Sequence, residues 1–79
     1  MLEELTGASK VVGVKQVRRA LSDGRAKQLF LAQDADPQIT QPLAGEAGTR
    51  GVPVCWIPSM KALGRACGIA VGAAVAAIV

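Results

Sequence analysis

Apolar positions along the chain follow two spacings, and the switches between them mark the elements. Val14, Val17 and Leu21 recur at i, i+3 and i+7, one stripe of a helix, while Lys15, Arg18 and Arg19 fall on another face. This amphipathic helix follows a short strand, Lys10-Val11-Val12, that ends at Gly13, and Asp23-Gly24 stops it. Lys27 to Ala32 reads as a strand, with Leu29, Phe30 and Leu31 in its middle. Asp36 is a good N-cap, and Pro37 suits the first helical position, where its missing N–H costs nothing. Ile39, Leu43 and Ala47 continue that helix, but Pro42, Gly45 and Gly48 predict that it is kinked or short. Gly51 introduces a strand over 52–57 whose Pro53 should sit near its start or on an edge. Ser59 caps a helix over 60–66, and 73–79 reads as the last strand. Residues 1–8 resemble one short helix, with Leu2 and Leu5 three apart.

Helices and strands alternate throughout. That pattern predicts an α/β fold: a three-layer α-β-α sandwich, a mixed four-stranded sheet with helices on both faces. The 79 residues read as one domain, 1–79, with no linker, repeat or low-complexity tract. A chain of this size buries about 60% of the surface its unfolded form exposes, and with Phe30 and Trp56 as its aromatic residues the core must be aliphatic.

Composition removes several functions. Histidine and tyrosine are absent, which takes away the usual general base and the usual metal ligand. Cys55 and Cys67 form no C-x-x-C pair and predict no metal site; a disulfide is one reading of them, two small core residues the other. No nucleophile–base pair is evident for Cys67 or for Asp34 and Asp36, so no enzyme and no cofactor is expected. The N-terminus is acidic and lacks the apolar run of a leader, which predicts a cytoplasmic protein. From Ala66 to Val79 no residue is charged, but a membrane span needs about 20 apolar residues, so a buried strand is expected there and no membrane partner.

The net charge of +3 is unevenly spread. Residues 10–27 carry Lys10, Lys15, Arg18, Arg19, Arg25 and Lys27 against Asp23 alone. Such local density is an electrostatic footprint for phosphate, although a solvated helix face would look the same. Three constellations stand out. Gly13-Val14-Lys15-Gln16 with Arg18 and Arg19 lies at a strand-to-helix junction, where free N–H groups and the helix dipole attract phosphate; an ordinary exposed helix start is the alternative. Asp36 caps a helix, yet a capping carboxylate can also accept from a base amine. The stretch from Leu63 to Gly72 presents Ile69, Ala70 and Val71 beside glycines; an apolar loop is either packed under the sheet edge or a surface for an unstacked base.

Three stretches, GVKQVRRAL at 13–21, AQDADPQIT at 32–40 and SMKALGRACGIAVGAA at 59–74, in this order and spacing, resemble the L7Ae/L30e ribosomal protein family of kink-turn RNA-binding proteins. The resemblance spans about residues 5–79 and is strongest to the small bacterial members. It implies an α-β-α sandwich whose helix after Gly13 enters the RNA major groove at tandem sheared G·A pairs. Lys15, Gln16 and Arg19 stand at the base-reading positions that archaeal members fill with Asn, Glu and Lys. Val14 replaces a frequent Thr. Asp36 matches the acidic residue near the bulged nucleotide, and Thr40 lies one turn beyond. Ile69, Ala70 and Val71 match the loop that clamps the flipped-out base, and Gly72 replaces a frequent proline, which predicts a more flexible loop.

The function expected is therefore non-enzymatic recognition of kink-turns in structured RNA, ribosomal or leader, by a monomer associated with the ribosome. Gly13, Val14, Lys15, Gln16, Arg19, Asp36, Thr40, Ile69, Ala70 and Val71 would bind RNA. Lys10, Arg18, Lys61 and Arg65 would contact phosphates. A protein-interaction module of the same fold is the alternative.

Overall fold

The structure, a computed structural model, describes residues 9–79. The helix expected over 1–8 lies outside the described residues. The rest runs β1 (Lys10–Val12), α1 (Val14–Ser22), β2 (Gln28–Ala32), α2 (Pro37–Thr49), β3 (Val54–Ile57), α3 (Met60–Ala66) and β4 (Val75–Ile78). The strands form one sheet in the order β1-β4-β2-β3. β4 pairs antiparallel with β1 and β2, and β2 pairs parallel with β3. The sheet is thus mixed and four-stranded, as its sequence predicts.

Side chains alternate across this sheet and build two cores. Leu29, Leu31, Val75 and Ala77 face α1 and α2 and meet Val17, Leu21, Leu43 and Ala47. Phe30, Ala32, Cys55, Ile57 and Ala76 face the other way and meet Leu63 and Ala66 of α3. Phe30 is fully buried. The continuous apolar run of β2 follows from its inner place in the sheet, which leaves both of its faces covered. Pro53 sits just before β3, an edge strand, and its carbonyl accepts from Leu29 N–H at 2.9 Å.

Of the two outcomes expected for α2, kinked or short, the second fails: it continues through Pro42 for 13 residues. Proline removes one helical hydrogen bond, a cost of about 3 kcal/mol in an isolated helix. Here Pro42 is exposed, so water can serve the carbonyl it leaves, while Leu43 and Ala47 on the same helix are buried against the sheet. Asp36 also fixes the helix start, accepting from Gln38 N–H at 2.9 Å.

The strand registers gather several connections at one end of the sheet. Val12 lies opposite Ala76, Leu31 opposite Val75, and Ala32 opposite Ile57. The segments that leave β1, β2 and β3, and the one that enters β4, therefore share one end of the sheet. All three described helices begin there.

Candidate functional site

At that end, α1 starts differently from its neighbours. Its N-cap is Gly13, with φ 103° and ψ 153°, a conformation that glycine alone adopts without strain. The Gly13 N–H donates to Val75 O at 3.1 Å, which ties the helix start to β4. No side chain caps α1 and no acidic residue occupies its first turn. α2 is capped by Asp36, and α3 by Ser59, whose hydroxyl accepts from Ala62 N–H at 3.0 Å. The first N–H groups of α1 are thus left for a ligand or water.

Lys15, Gln16, Arg18 and Arg19 project from α1 into solvent and, with Ser22 and Asp23, line a shallow cleft along its outer face. Among the described residues the ion pairs are Arg25–Asp23 and Arg50–Glu46. Lys15, Arg18 and Arg19 pair with no described carboxylate. Val14 is half-buried and packs toward Val17 and Leu21, so it offers backbone to a ligand rather than side chain.

The segment after α3 decides between the two readings of its apolar residues. Ile69 is 38% exposed and Val71 71%, and Ala70 is also exposed, so these three form a surface. Cys67 and Ala73 on either side are buried. The turn is set by Gly68 at φ 77°: its N–H donates to Arg65 O and the Ile69 N–H to Gly64 O, both at 3.1 Å. These two bonds are a Schellman closure, which requires a residue in the left-handed region after the cap. The chain then returns along α3, where Ala73 N–H donates to Met60 O at 3.0 Å. Gly72 lies against Met60, so the loop expected to be more flexible is held by backbone contacts at both ends.

The structure thus brings Gly13 to Gln16, Asp36 and the 69–71 loop to one end of the sheet. Thr40 follows one turn after Asp36, its N–H donating to Asp36 O at 3.1 Å. Thr40 is 2% exposed, turned inward on the face of α2 that carries Leu43 and Ala47. Ile39 is half-buried against the same core as Leu43 and Ala47, so α2 packs through 39, 40, 43 and 47. Lys61 and Arg65 lie one turn apart on α3, in the opposite layer from α1, and both are exposed. Lys10 lies on edge strand β1, near enough to Cys67 for its charge to act on the thiol.

Two further features bear on the site. The Asp34 carboxylate accepts from Met60 N–H at 2.7 Å, joining the start of α3 to the segment before α2. The signal was available: β2 and β3 are parallel neighbours, and Asp34 and Met60 follow them by two and three residues. Met60 itself is 36% exposed and abuts Gly72, extending the apolar surface of the loop. Cys55 and Cys67 are both buried, and no disulfide joins them. Burial pushes the Cys67 thiol above its ordinary pKa, with Lys10 pulling the other way.

Comparison with known proteins identifies the family and the fold. The sequence profile of the ribosomal protein L7Ae/L30e/S12e/Gadd45 family matches residues 5–79. An RNA-binding protein of Geobacillus sp. (strain WCH70) is 47% identical over 75 residues, 95% of this chain and 92% of its own. The RNA-binding protein YbxF of Geobacillus stearothermophilus is 46% identical over 77 residues, 96% of this chain and 94% of its own. Among solved structures, the Giardia lamblia 15.5 kD RNA-binding protein superposes with a TM-score of 0.91 at 32% identity, covering 98% of this chain and 68% of that one.

Proposed function

Because the chain belongs to the ribosomal protein L7Ae/L30e/S12e/Gadd45 family, we propose that it is a non-enzymatic RNA-binding protein whose residues 1–79 act as one kink-turn-binding domain. The observation that carries this reading is the uncapped start of α1, bearing exposed Lys15 and Gln16, at the same end of the sheet as the exposed 69–71 loop. A cationic helix start alone would fit any phosphate, and an apolar loop alone any hydrophobic partner. Together they fit an RNA that offers a groove and an extruded base side by side.

In this reading Lys15 donates to guanine edges at the tandem G·A pairs. Gln16 both donates and accepts, as an amide can, and Arg19, one turn on, extends the contact along the groove. The N–H groups at Gly13 and Val14 take a phosphate. Ile69, Ala70 and Val71 pack on the base that has left the stack, and the exposed Asp36 carboxylate accepts from its amine. Arg18 contacts phosphate from α1, and Lys10, Lys61 and Arg65 do so from the other side of the sheet. Thr40 supports α2 from within.

The protein acts as a monomer in the cytoplasm on ribosomal or leader RNA, in association with the ribosome. Names of relatives that include RNA binding support RNA as the partner. The test is a gel-shift titration with a kink-turn RNA and with a control whose G·A pairs are disrupted. Strong preference for the intact motif is expected, and equal binding to both would refute it.

A further inference from the structure

We propose that Gly64, a buried residue inside α3 that faces no ligand, is the positioning residue for the 69–71 loop, setting how that loop meets an extruded base. The inference rests on the RNA reading above and names a residue that reading does not use. Three observations carry it. A Cβ at Gly64 would collide with the backbone carbonyl of Val71, and would come within 3.0 Å of Gly72 Cα and 3.1 Å of Val71 C. These are backbone atoms, which cannot swing aside as a side-chain tip can. The Gly64 carbonyl also accepts from Ile69 N–H at 3.1 Å, so the same residue holds the loop's first apolar position and touches its last. Gly64 is buried by this contact, whereas Ile69 and Val71 above it remain exposed.

Glycine in a helix interior is less favourable than alanine. At Gly64 that cost is offset by close approach, which lets the loop lie directly on the helix backbone. A second glycine closes the far side: a Cβ at Gly72 would sit 3.2 Å from Met60 Cβ and 3.3 Å from Met60 C and O. The apolar tip is thus presented on two glycine contacts and two backbone hydrogen bonds, with little ordering left to do on binding.

The experiment compares two RNAs, a kink-turn and the same kink-turn with an abasic residue at the extruded position. Their affinity ratio reads the loop's grip on the base, and a general loss of stability does not move it. The wild-type ratio should be large. Gly64→Ala should reduce it about tenfold, the scale of losing one base-packing contact, while affinity for the abasic RNA stays within about twofold. Gly45→Ala, also inside a helix but with open space around its Cβ, should leave the ratio unchanged. If Gly64→Ala does not fold, Gly72→Ala should show the same loss in milder form. A folded Gly64→Ala with the wild-type ratio, or an equal loss in Gly45→Ala, overturns the inference, as does an unchanged ratio in Gly72→Ala. So does a wild-type ratio near one. Wild-type protein that binds intact and G·A-disrupted kink-turns alike instead sinks the RNA reading itself.

Discussion

The carboxylate of Asp34 holds the backbone N–H of Met60 at 2.7 Å across a sequence separation of 26 residues. This bond links the turn after β2 to the first residue of α3, and through Met60 O it reaches Ala73 at the base of the apolar loop. One carboxylate therefore secures both a helix start and the anchor of the loop. Asp34→Ala should cost about 1 kcal/mol of stability, the scale of losing a helix-capping hydrogen bond. Asp34→Asn, which keeps an acceptor oxygen, should recover part of it. Urea denaturation of the three proteins checks this, and an unchanged midpoint for Asp34→Ala would contradict it.

Cys67 should make stability fall at alkaline pH. Its thiol is neutral below its ordinary pKa of 9.0 in both folded and unfolded chains, and burial raises the folded value. The unfolded chain then releases its proton first as pH rises, so the stabilisation is fully present below about pH 9 and is lost as pH climbs through the folded pKa. Cys67→Ala should flatten this alkaline loss relative to wild type, as denaturation midpoints at pH 8 and pH 10 will show. The same burial should make Cys67 slow to react with a thiol alkylator at pH 8 compared with the denatured chain.

Base reading and phosphate contact separate by salt. Gln16→Ala should weaken binding to a kink-turn by about 1–3 kcal/mol, with little change in the slope of log affinity against log salt. Lys61→Ala should weaken all RNAs alike and reduce that slope by about 1. Identical behaviour of the two variants in a salt titration would show that the roles are wrongly divided.

Much of the fold is legible in the chain because its signals are local. The stripe Val14-Val17-Leu21, the cap at Asp36-Pro37 and the apolar run at Leu29-Phe30-Leu31 each name an element without reference to the rest. Pro42 misleads because a helix interior is judged by propensity, whereas α2 is decided by packing and by a cap six residues earlier. The burial of Thr40 is hidden for a related reason: its polar side chain conceals that it sits in register with Leu43 and Ala47. Asp34 and Gly64 act across the chain, one on Met60 and the other on Val71, and such pairings emerge only once the parallel β2–β3 register and the return of the loop along α3 are known.

The segment from 63 to 72 shows the same limit from the other side. Its residues announce an exposed or a buried apolar loop with equal force. Backbone hydrogen bonds to Gly64 and Met60 settle the matter by leaving Ile69 and Val71 outside.

The antiparallel course of β4 has a practical consequence. It enters the sheet beside Gly13 and runs away from the start of α1, so that Val79, whose N–H donates to Ser9 O at 3.0 Å, lies at the opposite pole. A tether or fluorophore attached at Val79 would stand off from the start of α1. Held through that residue, the molecule would present the proposed RNA-binding end outward to whatever flows past.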